Sequence, residues 1–244
     1  MMYHAEDLIL TRPGRAGYKL HIKRLAVAAG EKMALTGPSG CGKSTALDLL
    51  GMVLEPDSAG RFSFAPDGAG LDLASAWRDS RVDFMADLRR RHIGYILQTG
   101  GLLPFLTVEE NIGLTSRLKG TPEADIRVIT RGLADLLGIG HLLASLPGPL
   151  SVGERQRVAI GRALSAKPKV VLADEPTAAL DPNNARTVMG ILIEAVKVQG
   201  ATLIMVTHDQ ALVPEFSLRE VPIRMAEASG DVSVAFIDDG PAGP

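Results

Sequence analysis

With 244 residues, 46% of them hydrophobic, the chain is long enough to bury a substantial core, and one domain carrying an inserted subdomain is expected. A formal net charge of −2, from 26 Lys and Arg against 28 Asp and Glu, leaves no basic footprint for DNA or RNA, and the single cysteine, Cys41, excludes an intrachain disulfide framework. No apolar run approaches the ~18 residues of a membrane span, and Met1-Met2-Tyr3-His4-Ala5-Glu6-Asp7 lacks the basic and apolar regions of a secretory leader, so a soluble, cytoplasmic chain is expected.

In chain order, residues 8–10 and 18–27 read as two strands. In the second, Tyr18, Leu20 and Ile22 alternate with Lys19, His21 and Lys23, as in a half-exposed antiparallel strand. A turn is expected between them over residues 12–17. The apolar run Met33-Ala34-Leu35 leads into Gly37-Pro38-Ser39-Gly40-Cys41-Gly42-Lys43-Ser44-Thr45, followed by a helix expected to run to about Leu54, where Pro56-Asp57 and Ser58-Ala59-Gly60 are stop and turn signals. A short strand, 61–64, comes next. Residues 65–91 are a Gly- and Asp-rich loop and then, from Ala74, one helix or two; the basic run Arg89-Arg90-Arg91-His92 reads by default as a solvated face.

Residues 93–97 return to strand character and end at Gln98. Gly100, Gly101 and Pro104 then break the pattern before a helix opening at Thr107-Val108-Glu109-Glu110-Asn111-Ile112, and apolar residues recur at helical spacing over 126–137. Leu150-Ser151-Val152-Gly153-Glu154-Arg155-Gln156-Arg157 leads into a helix predicted over 158–166, with Ser151 near its start. Val170-Val171-Leu172-Ala173, a continuous apolar run of the kind buried on both faces of a parallel sheet, ends in Asp174-Glu175. A helix from about Asn183 to Val198 and a second such strand, 202–206, end at Thr207-His208-Asp209. This strand, helix, strand rhythm implies right-handed crossovers, with polar residues at the strand ends where ligands of open α/β sheets bind. Residues 221–224 and 232–237 are candidate strands at the sheet's edge, and 238–244 is expected to be a frayed tail.

The 37–45 stretch fits, without mismatch, the pattern of Gly, four residues, Gly-Lys-Ser that cradles a nucleotide triphosphate, in the required strand, loop, helix context. Glycines there allow backbone N–H groups to face phosphates, and the helix start adds a favourable dipole. Lys43 supplies a point charge for the β and γ phosphates, Ser44 a hydroxyl for Mg²⁺, and Cys41 a small side chain rather than a redox thiol. Asp174, closing a buried strand, suits Mg²⁺ held directly or through water, and Glu175 suits a general base polarising the attacking water.

With the phosphate loop, Gln98, the 150–154 stretch, Asp174-Glu175 and His208 in this order, the sequence resembles the ATP-binding-cassette (ABC) ATPases over nearly its full length. Its size, the absence of a C-terminal regulatory extension and the segment from Gln98 to Ile112 look most like the lipoprotein-release and macrolide-export type. The resemblance implies an α/β P-loop NTPase fold: a RecA-like parallel-sheet core over about 1–98 and 165–244, an antiparallel β subdomain, and a helical subdomain inserted over about 99–164. It implies ATP and Mg²⁺ as ligands, a head-to-tail homodimer sandwiching two ATP molecules, and a separate transmembrane permease as partner, with the chain peripheral on the inner face of the cell membrane. His208 becomes the switch histidine at the γ phosphate, and Gln98 the glutamine that touches Mg²⁺ or water and links the site to the permease.

The 150–154 stretch stands in the place of the family signature Leu-Ser-Gly-Gly-Gln, whose Ser and Gly face the γ phosphate bound to the opposite subunit. Ser151 and Gly153 match; Glu154 is a frequent variant; Val152 departs, and a β-branched residue is costly wherever φ > 0 or close approach to phosphate is needed. Asp181 matches the family's interface loop, with Ala178 replacing its Ser. The usual aromatic partner of adenine is missing: its place falls near Arg12, whose guanidinium can stack on a base, and the other local choice is Tyr18, which also fits the strand face with Leu20 and Ile22. A non-transport ABC protein acting on DNA or ribosomes and a P-loop kinase are the competing readings. The first is disfavoured by the single cassette and the absence of basic excess, the second by Ser151 and Gly153.

Overall fold

The computed structural model describes residues 1–12, 18–226 and 233–240. In chain order the elements are β1 (Tyr3–Thr11), β2 (Tyr18–Val27), β3 (Lys32–Thr36), α1 (Lys43–Leu50), β4 (Arg61–Phe64), β5 (Leu71–Asp72), α2 (Leu73–Arg78), α3 (Val82–His92), β6 (Ile93–Ile96) and α4 (Val108–Lys119). Then follow α5 (Glu123–Leu136), α6 (Val152–Ser165), β7 (Val170–Asp174), α7 (Pro182–Gln199), β8 (Thr202–Val206), α8 (Leu212–Glu215), β9 (Arg219–Met225) and β10 (Ser233–Asp238). They form two compact units, residues 1–87 with 206–244, and residues 88–205.

In the first unit the strand order is β5-β4-β1-β2-β10-β9-β3. Period-two alternation sets the register of the antiparallel β1–β2 pair, with Leu8 opposite Ile22 and Leu10 opposite Leu20, all four buried on one face. β1 begins five residues before the predicted strand: Tyr3 and Ala5 are buried in the opposite phase from Leu8 and Leu10, the alternation changing at the left-handed Asp7 (φ 51°), and Tyr3 stacks on Phe64 of β4 at 4.7 Å between ring centroids. The predicted turn at 12–17 and the end of the predicted tail, 241–244, lie outside the described residues apart from Arg12, as does Val232.

Two expectations for this unit are corrected. β9 and β10 are not edge strands: β10 lies between β2, to which it is parallel, and β9, which in turn runs parallel to β3. Arg219 of β9 anchors the arrangement by donating to Glu31, to Asp239 Oδ1 at 2.7 Å and to the Ala26 carbonyl at 2.7 Å. Short strands with exposed charges read locally as edges; only these long-range bonds put them in the interior. Helix α1 also stops at Leu50, short of Leu54. Met52 takes a left-handed φ of 56°, and the N–H groups of Val53 and Met52 return to the carbonyls of Asp48 (2.8 Å) and Leu49 (3.0 Å), a Schellman closure in which burial of Met52 offsets the absence of glycine.

In the second unit β6 and β7 pair in parallel, Ile93 opposite Val170 through Ile96 opposite Ala173, and β8 lies on the other side of β7. Val170, Val171, Leu172 and Ala173 are fully buried, as their continuous apolar run requires. Helices α4, α5 and α6 pack together. Gly161 of α6 lets α4 approach so closely that a Cβ there would stand 3.1 Å from Ile112 and 3.0 Å from Leu137. Helix α6 starts at Val152, six residues before the predicted 158. Its start is set by a reciprocal cap: Glu154 N–H donates to Ser151 Oγ at 3.3 Å, and the Glu154 carboxylate accepts from Ser151 N–H at 2.8 Å. The predicted one or two helices between 74 and 91 are two, α2 and α3.

Candidate functional site

In the first unit the 37–45 loop joins β3 to α1. Gly37, Gly40 and Gly42 take φ of 153°, 79° and 93°, where a side chain is strained. At Gly37 a Cβ would also stand 2.8 Å from Cys41 Sγ and 2.9 Å from the Ile223 carbonyl, and at Gly42 it would fall 1.5 Å from the Tyr18 phenolic oxygen. Lys43 is buried, its Nζ donating to the carbonyls of Gly37 (2.9 Å) and Pro38 (3.0 Å). Pro38, Ser39, Gly40 and Ser44 are exposed around the loop's rim, whereas Cys41 and Thr45 are buried. Burial pushes the Cys41 thiol above its ordinary value, which suits a packing residue.

Helix α1 has Gly42 as its N-cap, no side-chain cap and no acidic residue in its first turn. No carboxylate in its own first turn therefore offsets the positive end of its dipole, the condition in which a helix start receives an anion. Arg12 lies over this helix, donating to Thr45 Oγ1 at 3.3 Å and pairing with Asp48 at 3.7 Å. Tyr18, by contrast, is buried and donates its hydroxyl to the Cys41 carbonyl at 2.8 Å. Its phenol is pushed up to about 12, first by burial and then by the neighbouring Cys41, so it remains a donor at neutral pH. His208 is exposed in the turn after β8, between Thr207, whose N–H donates to the Leu35 carbonyl at 3.3 Å, and Asp209, whose N–H donates to Thr207 Oγ1 at 3.0 Å.

The second unit carries Gln98, Ser151, Gly153, Asp174 and Glu175. Asp174 closes β7, and Glu175 follows at φ 45°, a left-handed conformation that costs a non-glycine residue about 1–2 kcal/mol and that strained functional positions characteristically keep. Gln98 is exposed in a turn closed by Gly100 N–H to the Leu97 carbonyl at 2.9 Å. The turn's far side is held by Arg162, and the following segment by fully buried Asn111, whose side-chain amide donates to the carbonyls of Leu103, Leu106 and Thr107 at 3.1, 2.9 and 3.0 Å.

Ser151 is the exposed N-cap of α6, and its Oγ also donates to Glu154 Oε2 at 2.7 Å. These bonds hold the Glu154 carboxyl below the usual carboxylate range. Val152 is the first helical residue and 42% exposed, with φ outside the left-handed region, so the expected cost of a β-branched residue does not arise from its backbone. Ser151, Val152 and Gly153 border a cavity of ≈ 240 Å³ with Leu180, Asp181 and Asn184. Asp181 caps α7, accepting from the N–H groups of Asn183 and Asn184 at 3.1 Å each.

The structure thus brings Arg12 to the phosphate loop in one unit, and Ser151 and Gly153 to Asp181 in the other. Sequence reading did not find Arg162, Asn111 or the bond from Tyr18. The spacing Ser-x-x-Glu at 151–154, and Thr-x-x-Glu at 107–110, was a legible signal for both helix starts. The contacts of Arg162 and Tyr18 reach across the chain and have no local signal, whereas Asn111 binds carbonyls only four to eight residues away.

The family model described as ABC transporter matches residues 20–178. The lipoprotein-releasing system ATP-binding protein LolD of Shewanella denitrificans is 39% identical over 193 residues, covering 79% of this chain and 79% of that protein. The macrolide export ATP-binding/permease protein MacB 2 of Aeromonas hydrophila subsp. hydrophila is 41% identical over 191 residues, 78% of this chain and 28% of that protein. The dimeric structure of MJ0796, a bacterial ABC transporter cassette, superposes with a TM-score of 0.75 at 29% identity, covering 91% of this chain and 94% of that one. A post-hydrolysis dimer of the same cassette, bound to ADP and Pi, gives 0.74 at 28% identity over the same shares. The expected α/β P-loop NTPase fold is the fold of these cassettes, and the chain belongs to the ABC transporter family as an ATP-binding, ATP-hydrolysing member.

Proposed function

We propose that the chain is the ATPase subunit of a transporter of the lipoprotein-release or macrolide-export type, working on the inner face of the cell membrane through a separate transmembrane permease. Two copies close head to tail, each 37–45 loop holding an ATP whose γ phosphate meets Ser151 and Gly153 of the other copy. The observation that carries this reading is the start of α6, where the exposed N-cap Ser151 and half-buried Gly153 line an open cavity beside Asp181, a surface that a nucleotide held by a second copy can meet. The dimeric form of the MJ0796 cassette supports it. A role on DNA or ribosomes draws no support from the relatives or from the net charge.

Within each copy, Gly37, Pro38, Ser39, Gly40, Cys41, Gly42, Lys43, Ser44 and Thr45 bind the triphosphate and Arg12 meets the base. Glu175 polarises the attacking water and His208 contacts the γ phosphate. Each residue proposed for Mg²⁺ would offer it a hard oxygen, the exposed Ser44 hydroxyl in the first unit and the Asp174 carboxylate and Gln98 amide in the second, the donor type this ion takes when held by one or two carboxylates together with substrate phosphates. When bound it neutralises charge developing on the phosphates. The permease docks near the segment from Gln98 to Asn111, which presents Phe105 at 72% exposure on a loop whose Leu103 and Leu106 carbonyls accept from the Asn111 amide. The core is assigned to about 1–98 and 165–244 and the helical subdomain to about 99–164.

Glu175→Gln tests the reading. It keeps ATP binding, lowers turnover by roughly a hundredfold or more, as loss of a general base does, and accumulates an ATP-bound dimer visible by light scattering. Undiminished turnover removes Glu175 from this role, and a monomer at saturating ATP removes the sandwich. Affinity isolation from membranes identifies the permease.

A further inference from the structure

The place of Tyr18 is unexpected for a residue facing an adenine. Its ring is buried under the phosphate loop, its hydroxyl donates to the Cys41 carbonyl at 2.8 Å, and its oxygen occupies the space a Cβ on Gly42 would need. A trans peptide directs its C=O and N–H to opposite sides. Fixing the Cys41 carbonyl toward β2 therefore turns the Gly42 N–H away from Tyr18, at the residue that immediately precedes the first turn of α1. Gly42 at φ 93° has several backbone states open to it, and a single bond to its peptide removes much of that freedom before any ligand arrives.

We propose that Tyr18 is a positioning residue for the triphosphate: its hydroxyl pre-sets the Cys41–Gly42 peptide so that the Gly42 N–H faces the phosphates, and it makes no contact with the base. This rests on the 37–45 loop being the nucleotide site. It leaves the base to Arg12, tied at Thr45 and Asp48 and 42% exposed in its side chain.

The test is Tyr18→Phe in the full chain, which deletes the hydroxyl and keeps the ring. Titration calorimetry with MgATP and with inorganic tripolyphosphate is expected to show the same loss of affinity for both, roughly three- to tenfold, the worth of one buried hydrogen bond. Turnover at saturating ATP stays within about twofold of the parent, because the bond serves ground state and transition state alike. A loss confined to MgATP would place Tyr18 at the base and overturn the proposal, as would unchanged affinity for both ligands. A lowered stoichiometry at unchanged affinity would show a merely structural role and overturn it equally. Lys43→Ala runs alongside: if it binds both ligands as tightly as the parent, the phosphate-loop reading fails and not the role of Tyr18.

Discussion

Arg162, on α6, donates to the Gly100 carbonyl at 2.7 Å and through its other terminal nitrogen to the Gly101 carbonyl at 2.7 Å. Both glycines are left-handed, at φ 72° and 57°, so the turn after Gln98 owes its shape to a side chain more than 60 residues away in sequence. Arg162→Ala leaves two carbonyls without their charged donor, and a loss of about 2–3 kcal/mol in urea unfolding is expected. Arg162→Lys recovers only part of it, since one ammonium does not reproduce a planar fork spanning two acceptors. Equal stability of both variants with the parent would show that the turn holds itself.

Gly94 in β6 lies against α6, where a Cβ would stand 2.3 Å from the Ala163 carbonyl and 3.0 Å from its carbon. These are backbone atoms, so no rotamer change relieves the contact. Gly94→Ala is expected to destabilise the protein by about 3 kcal/mol, the upper part of the range for overpacking, read as a shifted midpoint in chemical denaturation. Gly132, whose Cβ would meet nothing within 4 Å, is the control. Gly132→Ala is expected to stabilise α5 by up to about 1 kcal/mol.

The left-handed Glu175 separates stability from activity. Glu175→Gly relieves a strain of about 1 kcal/mol and removes the proposed general base, so thermal unfolding moves up while ATP turnover is lost. Glu175→Ala keeps the strained φ and loses turnover without that gain. A Gly variant no more stable than the Ala variant would show that the conformation carries no cost.

Acid should loosen three helix starts. The Glu110 carboxyl is held below its ordinary value by hydrogen bonds from Thr107, the Glu154 carboxyl by those from Ser151, and the Asp181 carboxyl by those from Asn184. Because each folded value lies below the unfolded one, the associated stability is fully present above the ordinary values of 4.5 for the glutamates and 3.8 for the aspartate. It disappears as pH falls through the depressed folded values. Hydrogen exchange between pH 6 and pH 3 (about the range set by those values) is expected to show protection falling first at the starts of α4, α6 and α7. Ser151→Ala costs about 1 kcal/mol at neutral pH and flattens the acid dependence at α6.

Residues close together in sequence made much of this protein legible without a structure. The 37–45 loop, the strands at 18–27, 61–64 and 202–206, and the buried run ending in Asp174-Glu175 all follow from spacing, because a phosphate loop and a period-two or fully apolar strand are local patterns. The start of α6 was equally local, since the Ser151–Glu154 cap lies within four residues, yet Val152 and Gly153 in its first turn are weak helix formers that argue for a later start. What only the tertiary structure decided depends on groups far apart in the chain: the interior place of β9 and β10 held by Arg219, the turn after Gln98 held by Arg162, and the Tyr18 hydroxyl beneath Cys41. Hydrophobic period reports which face of an element is buried and says nothing about which backbone carbonyl a distant donor will find. Tyr18 shows the difference: its alternation with Lys19 correctly marked it as inward-facing, and only the folded β2 brought its hydroxyl to the peptide that precedes Gly42.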